Sequence, residues 1–224
     1  MAFIGKKPTA APLTSSDVAD GIITNAKLAQ DIISADTALG AEPADTDEFL
    51  VSDAGVLKRM DYSYIKAAGG IANAQQWRVN TEFTGTADPI TANWEEVDTD
   101  GYGRLGTTVA SSSGIFTFPS TGYWLIDWRI SAKYTDDIRY FAINIATTTD
   151  NSSYNNAAYA YGFIQNTQSA ATFNHASCCF LFDVTSTSTH KCRFGFTPNS
   201  ESATFMGSTD QNMNVATFLK LGDT

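Results

Sequence analysis

The stretch from residue 114 to residue 128 constrains the fold more than any other part of the chain. It reads G-I-F-T-F-P-S-T-G-Y-W-L-I-D-W, which predicts two β-strands joined by a tight turn at residues 119–122. Successive side chains of a strand point to opposite faces of its sheet. Trp124, Ile126 and Trp128 therefore share one face of the second strand. A face with two tryptophans has to be buried, so this strand belongs to a large β-sheet core.

The rest of the sequence after residue 76 is also typical of β-structure. Short apolar alternations are separated by turns rich in Gly, Asp, Asn, Ser and Thr. The predicted strands are 77–84, 92–97, 105–110, 114–118, 122–134, 138–147, 157–166, 172–184, 190–197 and 214–221. Ten strands with no convincing helix predict a jelly-roll β-sandwich in a head domain, residues 71–224. Its predicted core includes Trp124, Trp128, Phe141 and Phe194.

The motif G-x-F-x-F-P-x-x-G-Y-W resembles the globular head of complement-type proteins, which belongs to the tumour-necrosis-factor-like jelly rolls. A preceding loop rich in Gly and Asp, residues 97–106, and the closing strand N-V-A-T-F-L-K-L-G support the resemblance. The resemblance covers residues 77–222 and implies a homotrimer packed through one sheet of each subunit. We expect that interface on the face opposite Trp124. The predicted interface residues are Tyr123, Leu125, Leu181 and Phe218.

The first 70 residues differ in character and are predicted to form an anchoring or stalk segment. Of the 27 aromatic residues, only Phe3, Phe49, Tyr62 and Tyr64 precede residue 76. The pattern predicts an extended start, short helical turns capped by Thr24 and Ser34, and a small hairpin turning at residues 53–55. Asp61 is predicted to cap a short helix, residues 62–68, before a glycine linker at 69–70.

The segment has too few bulky residues to build a core of its own. Its apolar groups are predicted to be buried against other subunits or another protein of a particle. The predicted anchor residues are Phe3, Ile4, Ile22, Ile23 and Leu28.

The N-terminal region resembles attachment and stalk segments of bacteriophage tail-fibre-like structural proteins. The similarity lies in A-P-L-T-S-S-D-V-A-D-G-I-I-T-N-A-K-L-A-Q-D-I-I and in D-E-F-L-V-S-D-A-G-V-L-K-R-M-D-Y-S-Y-I-K. It implies a virion protein, either a fibre or a capsid decoration, that docks on other virion proteins and exposes its head to a host surface glycan or protein. The first residues lack the apolar stretch of a signal peptide, so we expect assembly in the host cytoplasm. The alternative is a secreted or cell-surface signalling ligand of the tumour-necrosis-factor type.

The sequence predicts no catalytic, cofactor-binding or metal-binding residues, and hence no enzyme. His175 and His190 have no acid or nucleophile at a telling spacing, and no paired-carboxylate motif supports a jelly-roll enzyme acting on carbohydrate. Glu95, Glu96, Asp98 and Asp100 are interpreted as a solvated turn, with a bound cation as the open alternative. Three cysteines, an odd number, argue against a disulfide framework. We expect Cys178, Cys179 and Cys192 to be reduced and structurally passive, with Cys178 and Cys192 filling the core.

Charge and surface chemistry limit the partners. A net charge of −10 repels phosphate backbones and anionic membranes, so neither is expected as a partner. Tyr154, Asn155 and Asn156 with Tyr159 and Tyr161 form a polar and aromatic cluster of the kind that stacks on glycans. Because Tyr159, Tyr161 and Phe163 share one strand face, we favour core or subunit contact for them.

Overall fold

The computed structural model describes residue 14 and residues 18–19, 37–65, 71–167 and 170–224. The chain divides into two compact units, with the boundary between Ala67 and Ala68. The boundary predicted at residue 70 stays a prediction, as do the helical turns at Thr24 and Ser34, which lie outside the described residues.

The first unit contains the predicted hairpin. Strands β1 (Glu48–Asp53) and β2 (Val56–Asp61) pair antiparallel around a turn at Ala54 and Gly55. The helix expected after Asp61 is a single 3-10 turn, Tyr62–Tyr64, and the Asp61 side chain makes no capping hydrogen bond to it. The prediction of Asp61 as a helix cap is therefore wrong, and the last part of that predicted helix lies outside the described residues.

The second unit is a sandwich of two antiparallel sheets. The large sheet has the order β5-β3-β14-β8-β11. Past the end of β14, the last residues of β8 pair with β13, and β13 pairs in turn with β4. The small sheet has the order β10-β9-β12-β7-β6. Strands next to one another in a sheet are mostly distant in sequence, which is the connectivity of a jelly roll. The predicted fold class is confirmed.

The strands of the head are short at its start and long in its middle. They are β3 (Asn73–Val79), β4 (Phe83–Thr84), β5 (Trp94–Glu96), β6 (Ala110–Ser112), β7 (Ile115–Thr117), β8 (Gly122–Tyr134), β9 (Ile138–Thr148), β10 (Asn155–Ile164), β11 (Thr172–Val184), β12 (Lys191–Pro198), β13 (Thr204–Phe205) and β14 (Asn214–Gly222).

The core lies between the two sheets and is aromatic. All four predicted core residues, Trp124, Trp128, Phe141 and Phe194, are fully buried. The Trp128 ring centroid lies 4.9 Å from that of Phe194 on the opposite sheet and 5.5 Å from that of Trp94. These tilted aromatic pairs add to the free energy gained from burial alone. Because alternation places Trp124, Ile126 and Trp128 of β8 inside, this strand packs its apolar face against the small sheet.

The strand predictions succeed where alternation is strong and fail where strands are short. The bounds of β8 and β11 are those expected from the sequence. The predicted strand 105–110 is largely wrong, because Leu105 makes only an isolated bridge to Ala74 and the strand β6 begins at Ala110. The two-residue strand β13 was not expected, since two residues cannot show a period.

Candidate functional site

The outer face of the large sheet carries a row of three leucines, of which Leu181 is exposed and Leu125 and Leu219 are half-buried. Leu125 on β8 pairs directly with Leu181 on β11 and, on its other side, with Leu219 on β14. Leu181 keeps 52% of its surface exposed. Tyr123, two residues before Leu125 on the same face of β8, keeps 42%. Three leucines side by side on a solvent-facing sheet form an apolar patch, which in soluble proteins marks a contact surface. The predicted interface residues Tyr123, Leu125 and Leu181 are thus brought together.

Phe218 is wrongly predicted as part of this face. It is fully buried between the sheets, and its ring centroid lies 5.3 Å from that of Phe116. Phe218 pairs with Ile126, whose side chain points inward, so the pleat turns Phe218 inward as well. Its neighbour Leu219 is the β14 residue that faces outward.

A shallow groove of about 260 Å³ adjoins the leucines on the same face. Asp127 and Arg129 form an ion pair of 2.6 Å along one side of it. Cys179 lies opposite Asp127 on β11, and its thiol is exposed. The face therefore combines an apolar row with one pair of opposite charges. A second copy of the chain can cover the row and pair with the charges.

Three of the four acidic residues in the second half of β5 and just after it pair with two arginines. Glu95 accepts a hydrogen bond of 2.7 Å from Arg78 Nε, and Asp98 accepts one of 2.9 Å from Arg78 Nη2. Glu96 pairs with Arg104 at 2.8 Å. Arg78 itself is fully buried and also donates to the Thr209 carbonyl. The interpretation as a solvated turn is therefore incomplete, since three of the four acids belong to ion pairs that join β3, β5 and the loop after β5.

This network also sets the ionisation of Glu95. Burial acts to raise its pKa, but hydrogen bonds from Asn80, Arg78 and Thr209 outweigh that effect and leave the pKa below its ordinary value. A carboxylate that accepts several hydrogen bonds is stabilised in its charged form. Glu95 is thus a structural anion that fastens two loops to the large sheet.

The two histidines differ in burial, and the thiols of Cys178 and Cys192 lie in or against the core. His175 is exposed on β11, whereas His190 is buried, stacks on Phe182 at 5.5 Å and contacts the hydroxyls of Thr185 and Thr189. Cys192 is buried in the core and Cys178 packs against the core, as predicted, and both are free thiols. Burial raises the pKa of Cys178 to about 12, so its thiolate is scarce at neutral pH.

No group of three or more His, Cys, Asp or Glu side chains in the described part of the chain is arranged to hold a metal ion. In the same residues, no helix has the length and apolar character needed to span a bilayer.

The outer face of the small sheet holds the polar and aromatic cluster. Tyr159, Tyr161 and Phe163 are 48%, 68% and 59% exposed, so they do not belong to the core, and subunit contact, the other half of that expectation, stays a prediction. Their neighbours Ala158 and Ala160 pack against the core instead. Alternation alone could not separate the two faces of β10, because both carry apolar residues.

The hairpin of the first unit also exposes apolar groups. In β1 and β2 no residue is buried, and Leu50 and Leu57 are 79% and 73% exposed. A lone two-stranded hairpin is at best marginally stable in water. The predicted anchor residues Phe3, Ile4, Ile22, Ile23 and Leu28 lie outside the described residues, and their role stays a prediction.

Comparisons with known proteins concern the fold alone. No protein-family model and no curated protein matches the sequence. The chain is similar to the crystal structure of murine APRIL at pH 5.0, with 11% identity, coverage of 66% of this chain and 98% of that one, and a TM-score of 0.49. For Eiger TNF from S. frugiperda the values are 13%, 69%, 96% and 0.48. For the globular domain of the zebrafish complement 1qA protein they are 11%, 68%, 99% and 0.43. Similarity at this level implies no shared function.

Proposed function

We propose that the chain is a structural protein of a bacteriophage particle, a homotrimeric fibre or capsid-decoration protein. Its N-terminal unit docks on other virion proteins, and its jelly-roll head faces outward toward the host surface. The virion part of the proposal rests on the resemblance of the N-terminal segments to bacteriophage stalk and attachment segments. The trimer rests on the surface of the head.

The observation that carries the trimer is the leucine row on the large sheet. Leu125, Leu181 and Leu219 form a continuous apolar strip across three strands and stay partly or largely exposed in a single chain. Burying apolar surface is the main favourable term in association. The adjacent Asp127–Arg129 pair gives each copy both signs of charge, so neighbouring copies can set opposite charges against each other across the contact.

The exposed hairpin supports a docking role for the first unit. Leu50, Leu57 and Tyr64 lie largely in water in the single chain. A segment that cannot bury its apolar side chains within itself gains stability when neighbouring copies or another protein cover them. A docking segment on a particle is covered in this way.

The second candidate function is a tumour-necrosis-factor-like signalling ligand, secreted or at a cell surface. The apolar face on the large sheet fits that candidate as well, because both candidates use a trimeric head. They differ in where the protein is found and in what covers the N-terminal unit.

Two measurements test the proposal. Light scattering of the full chain should give a mass near three times 24.1 kDa, about 72 kDa; a stable monomer at micromolar concentration contradicts the trimer. Electron microscopy of purified virions labelled with antibody to the head should show labels at regular positions on the particle. Unlabelled virions, with the protein on the surface of cells instead, would favour the signalling ligand.

A further inference from the structure

A hollow of about 440 Å³ lies on the outer face of the small sheet, on the side of the sandwich opposite the leucine row. Its floor is the small side chain of Ala142 on β9. The direct partners of Ala142 are Tyr161 on β10 and Thr197 on β12, which rise on either side. The volume falls in the range of sites that hold a small molecule or one unit of a larger one.

Three tyrosines form one wall. The rings of Tyr159 and Tyr161 are parallel within 9°, with centroids 6.1 Å apart. Tyr140 meets Tyr161 nearly at right angles, with centroids 6.0 Å apart. Carbon atoms in contact lie about 3.5–4.0 Å apart, so a flat ligand does not fit between Tyr159 and Tyr161. Such a ligand has to use an outer ring face, and Tyr161 is the most exposed of the three tyrosines.

A chain of hydrogen bonds holds the polar side of the hollow. Asn144, which is almost fully buried, donates to Asn156 Oδ1 at 2.6 Å and lies 3.4 Å from Asp88 Oδ1. Asn156 Nδ2 donates in turn to the Tyr159 hydroxyl at 2.7 Å. The Asp88 carboxylate is exposed at the rim and keeps acceptor capacity for a ligand.

Gly195 makes this arrangement possible. A Cβ at residue 195 would lie 2.3 Å from Asp88 Oδ1 and 2.1 Å from Asn144 Oδ1. Only glycine leaves room for both side chains over β12. The close approach of Asp88 and Asn144 over Gly195 therefore sets the position of the polar side of the hollow.

Charge selects among ligands that stack on aromatic rings. Nucleotides and other anions are repelled by Asp88 and by the net charge of −10. Cations are disfavoured on Tyr140, because the guanidinium of Arg139, which does not line the hollow, already lies over that ring at 5.2 Å from its centre. A neutral ligand with one apolar face and a rim of hydroxyls avoids both penalties. A pyranose sugar has these properties, because its C–H face meets the negative face of an aromatic ring and its hydroxyls donate to carboxylates.

We propose that this hollow binds a neutral sugar unit of a surface glycan, with Tyr161 as the stacking residue and Asp88 and Thr197 as hydroxyl partners. The inference rests on the proposed function, since it supplies the host contact of an outward-facing head. Because the hollow and the leucine row lie on opposite outer faces, trimer formation through the large sheet leaves all three hollows accessible.

The test uses the full chain and an array of neutral oligosaccharides built from glucose, galactose, mannose and N-acetylglucosamine, with sialylated and sulfated oligosaccharides as the anionic arm. We expect binding to at least one neutral structure. Tyr161→Ala should weaken it about tenfold or more, the effect of losing roughly 1.4 kcal/mol of stacking. Asp88→Asn should weaken it to a smaller extent.

Phe163→Ala is the matched control, because Phe163 is on the same face of β10 and is also exposed but does not line the hollow. The Phe163→Ala variant should bind the oligosaccharide with the affinity of the unmodified protein. Absence of neutral binding, preference for the anionic arm, or equal losses for Tyr161→Ala and Phe163→Ala would each overturn the inference. A labelled virion whose head binds no neutral glycan would overturn this inference alone, whereas glycan binding by a protein that is absent from virions would overturn the proposed function.

Discussion

Leu125 and Leu181 are direct cross-strand partners on the outer face of the large sheet, and Leu181 keeps 52% of its surface in water. If this face joins the subunits, a charge at residue 181 has to be buried without a partner in each interface. Leu181→Glu should therefore shift the protein from about 72 kDa to 24.1 kDa in light scattering at micromolar concentration, since an unpaired buried charge costs several kcal/mol.

The control for this variant is Ile115→Glu. Ile115 is a partly exposed apolar residue on β7 of the small sheet, so the substitution adds the same charge on the opposite side of the head. It should leave the mass unchanged. If Ile115→Glu dissociated the assembly and Leu181→Glu did not, the interface would have to be moved to the small sheet.

The three thiols should differ in reactivity. Burial raises the pKa of Cys178 to about 12 and also raises that of Cys192, so neither forms much thiolate at neutral pH. Cys179 is exposed in the single chain but lies within the proposed interface. A thiol-reactive dye should label Cys179 rapidly in the dissociated Leu181→Glu variant and slowly in the trimer, as measured by peptide mass spectrometry. Rapid labelling of Cys179 in the intact trimer would place the interface elsewhere.

Replacing the thiols should affect stability in the order of their burial. Cys178→Ala, at a partly buried position against the core, should lower the free energy of unfolding by about 1–2 kcal/mol. Cys179→Ala, on the surface, should change it by less than about 0.5 kcal/mol in the dissociated variant. Denaturant unfolding measures both. An internal Cys–Cys bond in the unreduced protein would contradict the expected reducing site of assembly.

Glu95 should make the head sensitive to acid. Its pKa is lowered in the folded state, so its contribution is complete above the ordinary value of 4.5 and is lost as pH falls through the lower folded pKa. Glu95→Gln should cost on the order of 1–3 kcal/mol at pH 7, because Arg78 is buried.

The variant should lose less additional stability than the unmodified protein between pH 4.5 and pH 3, as measured by thermal unfolding at each pH. Some acid sensitivity should remain, since hydrogen bonds also lower the pKa of Asp150 and Glu201. Glu48→Gln removes the same charge from the hairpin and should leave the unfolding of the head unchanged. If the stability of Glu95→Gln and of the unmodified protein fell in parallel with pH, Glu95 would not be a source of the acid sensitivity.

Gly114 should tolerate no side chain. It lies in the two-residue turn between β6 and β7 with φ of +74°, and a Cβ there would lie 2.0 Å from the Ile90 carbonyl oxygen. Gly114→Ala should cost at least about 3 kcal/mol, because overpacking is added to backbone strain. Gly101 has a similar φ of +79° with nothing within 4 Å of a Cβ, so Gly101→Ala should cost only about 1 kcal/mol. Equal unfolding free energies for the two variants would contradict the close approach at Ile90.

The core of the head could be predicted because its strands alternate strongly. Trp124 and Trp128 mark one face of β8 as buried. Alternation within β12 and β9 likewise places Phe194 and Phe141 inside. Parity failed at Phe218, because an aromatic residue in an apolar closing strand fits either face until the register with Ile126 is known. Contacts between distant strands fix that register, and the local sequence does not contain them.

The surfaces were less predictable than the core. The ion pairs of Arg78 with Glu95 and Asp98 join residues about 20 positions apart, which meet because β3 and β5 pair antiparallel. The hollow beside Tyr161 depends on Asp88, Ala142 and Thr197, which meet only when three strands are aligned. The one local signal was the cluster of tyrosines and asparagines at residues 154–161, and its exposure could not be read from alternation.

The last prediction separates the anchor from the head. The head has a continuous aromatic core, and the buried apolar residues described in it all lie between Val79 and Phe218. Deleting residues 1–70 should therefore leave a soluble, β-rich trimer, checked by circular dichroism and light scattering, that no longer incorporates into particles. Trp128→Ala should instead unfold the head, because truncating a buried tryptophan costs about 3–5 kcal/mol, comparable with much of a domain's stability. If the deletion variant were found on virions at the occupancy of the full chain, the docking surface would have to lie on the jelly roll, and the division of roles between the two units would be wrong.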